Sequence, residues 1–292
     1  YNSKRFDSNV IYHQKKYGRF WASKDSNQFP INTIQNEIRS CLFEDGFIDC
    51  DIVNAHPAIL LSLCKKLNIR VDFLTHYVNN RDELILKSGI PKAEYKKCIC
   101  SIINAGGFVE EISLNSTISK DGKSITFKDE KIKTSKTYMN EDFIRFKQEI
   151  KIIQDIFYNH DTFKDIRDDY VDKIITEEKD FWKRPSKQLT YILFSYESLI
   201  INYLKKLLGE KNYYTFDGFI QPFEDYKDNE KVEQYMIYIN DYIRKTTNLD
   251  IHFISKPFEN IVFKNVKNIV WDEVKEKQFI KITDDSQSYE NV

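Results

Sequence analysis

The sequence predicts an α+β fold, on three observations. Residues 47–52 (FIDCDI) alternate, with Ile48, Cys50 and Ile52 on one side of an extended chain and Asp49 and Asp51 on the other. Far along the chain, the aromatic stretches at 213–216 and 219–223 flank Asp217-Gly218, which is hairpin chemistry. Between these two places the chain is mostly helical in pattern. The order of strand, long helical insertion, hairpin and further strands argues for an antiparallel sheet with helices rather than for a doubly wound one.

Each element has a local reason. Residues 1–46 read as irregular and end in a helix-like stretch at 34–43. The strand at 47–52 runs into Asn54-Ala-His-Pro57, where His56 suits the cap and Pro57 the first helical position. Residues 58–67 (AILLSLCKKL) then read as a mostly buried helix. A second helix is expected from near Pro91 to about Asn104, stopped by Gly106-Gly107. Residues 113–137, rich in Ser, Thr, Lys and Asp with a turn at Asp121-Gly122, read as an exposed hairpin or insertion. Helices are expected at 140–158 and 186–208, the second nearly continuously apolar from Leu189 to Leu208. Residues 230–280 suggest one more helix and two strands, with a loose tail beyond about 283. There is no internal repeat.

Composition bounds the function classes. The 292 residues suffice for one large or two smaller domains, and 41% hydrophobic with 30% charged residues excludes wholesale disorder. A net charge of −1 does not demand a polyanionic partner. Residues 1–24 carry six Lys/Arg against one acidic residue, and a basic end of this kind suits phosphate, although solvated charge runs are common. The last twenty-one residues reverse the balance, with six acidic against three basic. There is no run of about 18 apolar residues, so a membrane-spanning helix is not expected. The first residues carry no secretion signal. A chain opening on Tyr1 without Met is expected to be a segment of a longer protein. Five cysteines (Cys41, Cys50, Cys64, Cys98 and Cys100) lie in apolar patterns without paired zinc spacing, and read as reduced core residues of an intracellular protein.

Phosphoryl transfer asks little covalent chemistry of a protein. It asks for divalent cations held by carboxylates and for positive groups on the triphosphate. Asp51, at the end of a strand before a buried helix, and Asp217, at a hairpin tip, are the best supply of carboxylates here, if their strands are neighbours. Either alone is ordinary: Asp-Gly turns are the commonest hairpin chemistry. Their company is the helix from Pro91. Lys92 and Lys96 lie one turn apart on one face, and Lys97, Ser101 and Asn104 share another stripe. Such a helix could lie across a bound triphosphate, but on pattern alone an amphipathic surface helix with a glycine C-cap is the commoner reading.

Taken together these residues resemble the family A DNA polymerases and the phage-type single-subunit RNA polymerases, most of all their transposon-and-virus branch. Four stretches match in order, from residue 17 to about 223. Tyr17-Gly18-Arg19 with Gln35 and Arg39 is similar to the family's Gly-Arg stretch, which contacts primer and template. The segment from Asp51 to Leu60 is similar to motif A, Lys92-x3-Lys96 with Asn104 to motif B, and Phe216-Asp217-Gly218-Phe219 to motif C. Where the family usually has Glu five residues after the motif A Asp, this chain has His56. Asn104 stands for the usual aromatic, Lys92 for the usual Arg, and Gly218 follows Asp217 where an acid is usual. Lys97 offers a competing register.

The resemblance implies a polymerase palm (an antiparallel sheet) formed by 47–57 and 186–283, with a mainly helical fingers insertion at 58–185 and a template- and primer-contacting segment at 1–46. It implies two Mg²⁺ (or Mn²⁺) ions on Asp51 and Asp217, helped by the Ile52 carbonyl, with Asp49 in reserve. Lys96, with Lys92 or Lys97, would neutralise the nucleotide phosphates, and Arg81 is a further candidate. His56 would pack under the sugar, while Arg19, Gln35 and Arg39 would follow the duplex. The expected function is a DNA polymerase or primase-polymerase replicating a virus or mobile element, acting on DNA template and primer with dNTP or rNTP, and often fused to a superfamily 3 helicase. Rival readings are an RNA-synthesising primase or RNA polymerase, an inactive nucleic-acid-binding scaffold, and a metal-dependent nuclease on the same carboxylates.

Overall fold

The computed structural model describes residues 12–14, 17–22, 36–43, 45–105, 111–113, 117–118, 125–126, 131–133, 141–209, 212–258, 268–274, 277–284 and 287–289. It is α+β, and it divides into two compact units, residues 1–108 with 138–259 and residues 109–137 with 260–292.

The first unit opens with the antiparallel pair β1 (Tyr12–Gln14) and β2 (Phe20–Ala22), followed by α1 (Asn36–Phe43). In β3 (Phe47–Ile52) the expected alternation is realised: Ile48, Cys50 and Ile52 are buried, while Phe47, Asp49 and Asp51 are half-buried on the other face. Helix α2 (Ala55–Lys66) is buried without a break from His56 to Cys64, as a helix apolar on every side must be. Its start corrects the sequence reading. The cap is Asn54, in the left-handed region at φ 53° and ψ 48°, and His56 is the second helical residue. Asparagine tolerates that conformation better than most residues. Pro57 is third in the helix, still inside the turn whose N–H groups have no helical partner, so its missing donor is harmless there.

Helix α3 (Asp72–Ser88) has no counterpart in the sequence reading, and it is bent at Asn80, whose φ and ψ are −130° and 30°. The polar Asn79-Asn80-Arg81 run at the bend obscures its period. The start of α3 is held by a side chain from elsewhere. Glu149, on α5 (Glu141–Asn159), accepts hydrogen bonds from the backbone N–H groups of Asp72, Phe73 and Leu74 at 2.9, 3.0 and 2.8 Å. A carboxylate there also meets the positive end of the helix dipole. Glu149→Ala is therefore expected to cost about 2–3 kcal/mol, the value of hydrogen bonds to a charged group, seen as a lower urea midpoint at unchanged slope. Helix α4 (Lys92–Ala105) fulfils the expectation for the lysine helix, and its Gly106-Gly107 stop lies outside the described residues. Short helical turns over 161–183 lead into α6 (Arg184–Leu208), which buries Leu189, Ile192, Leu193, Ile200, Ile201 and Leu204.

After α6 come β4 (Tyr213–Tyr214) and β5 (Gly218–Pro222), the expected hairpin, then α7 (Asn229–Thr247) and β6 (Phe253–Lys256). The four strands form one antiparallel sheet in the order β6-β3-β5-β4. Asp51 stands opposite Gly218 on one side and Ile254 on the other; Asp49 stands opposite Ile220 and Lys256. Buried Asn240 of α7 pins β6, accepting from the Phe253 N–H at 2.7 Å and donating to its carbonyl at 3.0 Å.

In the second unit, Glu111–Ser113 pairs with Lys131–Lys133 and Thr117–Ile118 with Ile125–Thr126, while the Asp121-Gly122 turn lies outside the described residues. Strands Asn268–Val274, Lys277–Asp284 and Gln287–Tyr289 make a separate three-stranded sheet. Two expectations change here. Residues 268–283 do not extend the sheet that holds Asp51, because each strand pairs with its nearest neighbour in sequence. Residues 287–289, in the stretch expected to be loose, pair as a short strand with Lys277–Asp284; a three-residue polar strand has too short a period to be read. Among the described residues no helix is long and apolar enough to cross a membrane.

Candidate functional site

The antiparallel register brings Asp51 and Asp217 to one edge of the four-stranded sheet. Asp217 sits in the β4–β5 turn, where its carbonyl accepts the Ile52 N–H at 2.9 Å, and the Thr215 N–H to Gly218 carbonyl bond, also 2.9 Å, closes the hairpin. Ile52 thereby fastens the two strands next to both carboxylates. Gly218 faces Asp51 across the ladder with no space for a side chain. A Cβ there would run into Asp51 Oδ1 and the Cys50 carbonyl oxygen, and would lie 3.1 Å from Asp51 Cα. The Gly218 backbone is not left-handed, so clearance alone requires glycine. Gly218→Ala is expected to force β3 and β5 apart, at about 1–3 kcal/mol of stability, measured by denaturant unfolding.

The edge concentrates negative charge. Burial, and then the charge of Asp51, push the Asp49 carboxyl up to about 6, with Arg39 and Lys256 offsetting part of the shift. Asp217 is raised by burial and by the charges of Asp51 and Glu197, against Lys256 and Arg19. The Lys256 ammonium donates to Asp51 Oδ2. Among the described residues there is no group of three or more His, Cys, Asp or Glu side chains disposed to hold a metal ion. Two carboxylates are a smaller donor set, all oxygen, and of the kind Mg²⁺ takes when water or substrate completes its shell. Crowded carboxylates whose ionisation is opposed by one another are what a divalent cation would relieve, so the residues present fit such an ion.

Behind the edge lies a residue the sequence reading did not single out. Glu197, the one acidic residue of α6, has its side chain 1% exposed. Arg19 donates to it from Nε at 2.6 Å and from Nη2 at 3.0 Å, and His56 Nε2 lies 2.9 Å from Oε1. Burial would raise the Glu197 pKa, but the bonds from His56 and Arg19 outweigh it and hold the carboxyl below its ordinary value. The Arg19 guanidinium stacks over Phe194 and Phe216 at 4.1 and 4.7 Å. The signal was present in the sequence: a lone acid in an otherwise apolar helix is almost always paired when buried. Arg19 is thus engaged inside the protein rather than held out toward a duplex.

His56 is tied at both nitrogens, since Asn104 Nδ2 lies 3.3 Å from its Nδ1 and also donates to the Cys100 carbonyl at 2.9 Å. The far end of α4 is therefore joined to the start of α2. The Cys100 thiol is raised by burial, with Lys96 opposing and Asp217 adding to the shift. Lys92, Lys96 and Lys97 are all exposed. Lys92 pairs with Asp82 at 3.3 Å, and Arg81 bonds Asn54 Oδ1 and Asp82. Arg81 thus supports the turn into α2. Arg39, half-buried on α1, turns its charge toward Asp49, and Gln35 lies outside the described residues.

Compared with protein-family models, with curated proteins and with solved structures, the chain has no match.

Proposed function

We propose that the chain is the palm-and-fingers part of a template-directed nucleotidyltransferase, a DNA polymerase or primase-polymerase working by a two-metal mechanism. The observation that carries the reading is that Asp51 on β3 and Asp217, in the turn that opens the neighbouring β5, feel each other's charge, with Gly218 packed so closely on Asp51 that a Cβ would strike its carboxylate. The four-stranded sheet with α6 would belong to the palm, and the helices between β3 and α6 to the fingers. Asp51 and Asp217, with the Ile52 main chain, would hold two Mg²⁺ or Mn²⁺ ions, which supply charge neutralisation and a more acidic attacking hydroxyl when bound.

The protein's own groups would do the rest. Exposed Lys96, with Lys92 and Lys97 on the same helix, would meet the triphosphate. His56, fixed by Glu197 and Asn104, would form a rigid wall under the nucleotide. Arg19 and Glu197 would set that wall, while Arg39 and Gln35 would border the template and primer. A role in replication of a virus or mobile element, and a fused superfamily 3 helicase, belong to the same reading. RNA synthesis is the second reading, favoured by a His at the position where a carboxylate would reject a ribose hydroxyl; bulk alone discriminates weakly.

The test is incubation of the chain with Mg²⁺ or Mn²⁺ on a single-stranded template, with and without annealed primer, and with dNTP or rNTP supplied separately. Primer extension is the expected result. Products formed without primer would identify a primase, and ribonucleotide products the RNA-synthesising reading. Normal template binding with no synthesis under any condition, and with the template left uncut, would favour the scaffold.

A further inference from the structure

Among the described residues, Arg19, Arg39 and Lys256 turn positive charge toward the carboxylates of the sheet edge, and they are held differently. Arg19 is forked onto Glu197 and stacked on two aromatic rings. Arg39 is half-buried on α1. Lys256 reaches in from β6 opposite Asp49, with its side chain 47% exposed, and its ammonium bonds Asp51 Oδ2 across the ladder. Its charge also bears on Asp49 and Asp217. Of the three, Lys256 combines direct contact with a carboxylate and freedom to leave it.

Lysine suits that part. Its ammonium is a compact, strongly hydrated charge on a flexible four-carbon stem, so it surrenders little by returning to water. An ion pair this exposed contributes little to stability. The strand below it does not share this freedom, because Asn240 grips Phe253 at both main-chain groups. The side chain is free to swing while its anchor stays in place.

We propose that Lys256 is the resident counter-ion of this carboxylate edge, releasing Asp51 Oδ2 when a divalent cation binds there. The inference rests on the metal-holding role given above to Asp51 and Asp217. In the absence of metal the ammonium offsets charge that the half-buried edge tolerates poorly, so the sheet holds together before any ion arrives. Metal binding is then an exchange of one cation for another, and its apparent affinity is lowered by the strength of the lysine pair. The released ammonium remains tethered at the rim, within reach of a polyphosphate entering the site.

The exchange is measured by titrating the full chain with Mn²⁺ and following free Mn²⁺ by electron paramagnetic resonance. The variants are Lys256→Met, Lys256→Gln, Arg39→Met, Asp51→Asn and the Lys256→Met/Asp51→Asn pair. Both Lys256 variants are expected to bind Mn²⁺ about three- to fivefold more tightly than wild type, the fold-change of losing an exposed ion pair. Arg39→Met should tighten binding less, and the Lys256 effect should vanish in the Asp51→Asn background. Without metal, Lys256→Met should melt below wild type, and saturating Mn²⁺ should close the gap. Unchanged or weaker Mn²⁺ binding by both Lys256 variants, in a wild type that binds, would overturn the exchange alone. Equal tightening in Arg39→Met would reduce Lys256 to one charge among several and overturn it too. A wild type that binds Mn²⁺ no better than Asp51→Asn removes the metal-holding role itself, and the exchange with it.

Discussion

Alanine at Asp51 or at Asp217 is expected to lower nucleotide incorporation by about a thousandfold or more, with the fold intact. Holding the ions is worth several kcal/mol of transition-state stabilisation, and each 1.4 kcal/mol is tenfold in rate. The loss should fall on kcat, since an interaction made mainly in the transition state is removed. Both side chains are half-buried and their charges repel, so alanine relieves strain at the edge and the variants should melt near wild type. Asp49, opposite Ile220 and one pleat farther along β3, is the internal control. Asp49→Asn should keep activity within about tenfold of wild type, an outlying contribution by the same conversion. Single-turnover extension with far-ultraviolet circular dichroism on each variant checks all three. Full activity in Asp217→Ala would end the two-carboxylate mechanism.

Glu197→Ala is expected to destabilise the protein by about 3–5 kcal/mol, the cost of leaving buried partners without their counter-charge. Arg19 and His56 both lose their carboxylate, and with it the positions of Phe194 and Phe216, over which the guanidinium stacks. The pH dependence has a definite sign. The folded pKa of Glu197 lies below its ordinary 4.5, so its stabilisation is complete above pH 4.5 and is lost as pH falls through the lowered folded value. The stability difference between wild type and Glu197→Gln should therefore shrink as pH falls below 4.5. Urea unfolding across that range measures it. A difference that does not shrink below pH 4.5 would mean that Glu197 is protonated in the native state.

Strong local patterns were legible without coordinates. FIDCDI could bury Ile48, Cys50 and Ile52 together only as a strand, and the Asp217-Gly218 turn between aromatic stretches had to be a hairpin. The helices around Lys96, Phe146 and Ile200 carried their own period. Helix α3 was not legible, since its bend at Asn80 breaks the period and its cap comes from Glu149, a distant residue. The cap of α2 was misplaced for a related reason: the left-handed conformation of Asn54 is selected by the packing of the chain around it and leaves no mark on residue spacing.

Residue types and their spacing were enough to say which carboxylates and lysines this chain offers for chemistry. Whether those groups meet is a matter of register, and register is a property of paired strands rather than of one. Only with β3 laid against β5 does Gly218 acquire its reason, and only with β6 on the other side does Lys256 reach Asp51. The same holds for Glu197, whose partners Arg19 and His56 stand at the far end of the chain. A buried charge takes its partner from whatever the folded core places beside it, and nothing in the local sequence names that partner in advance.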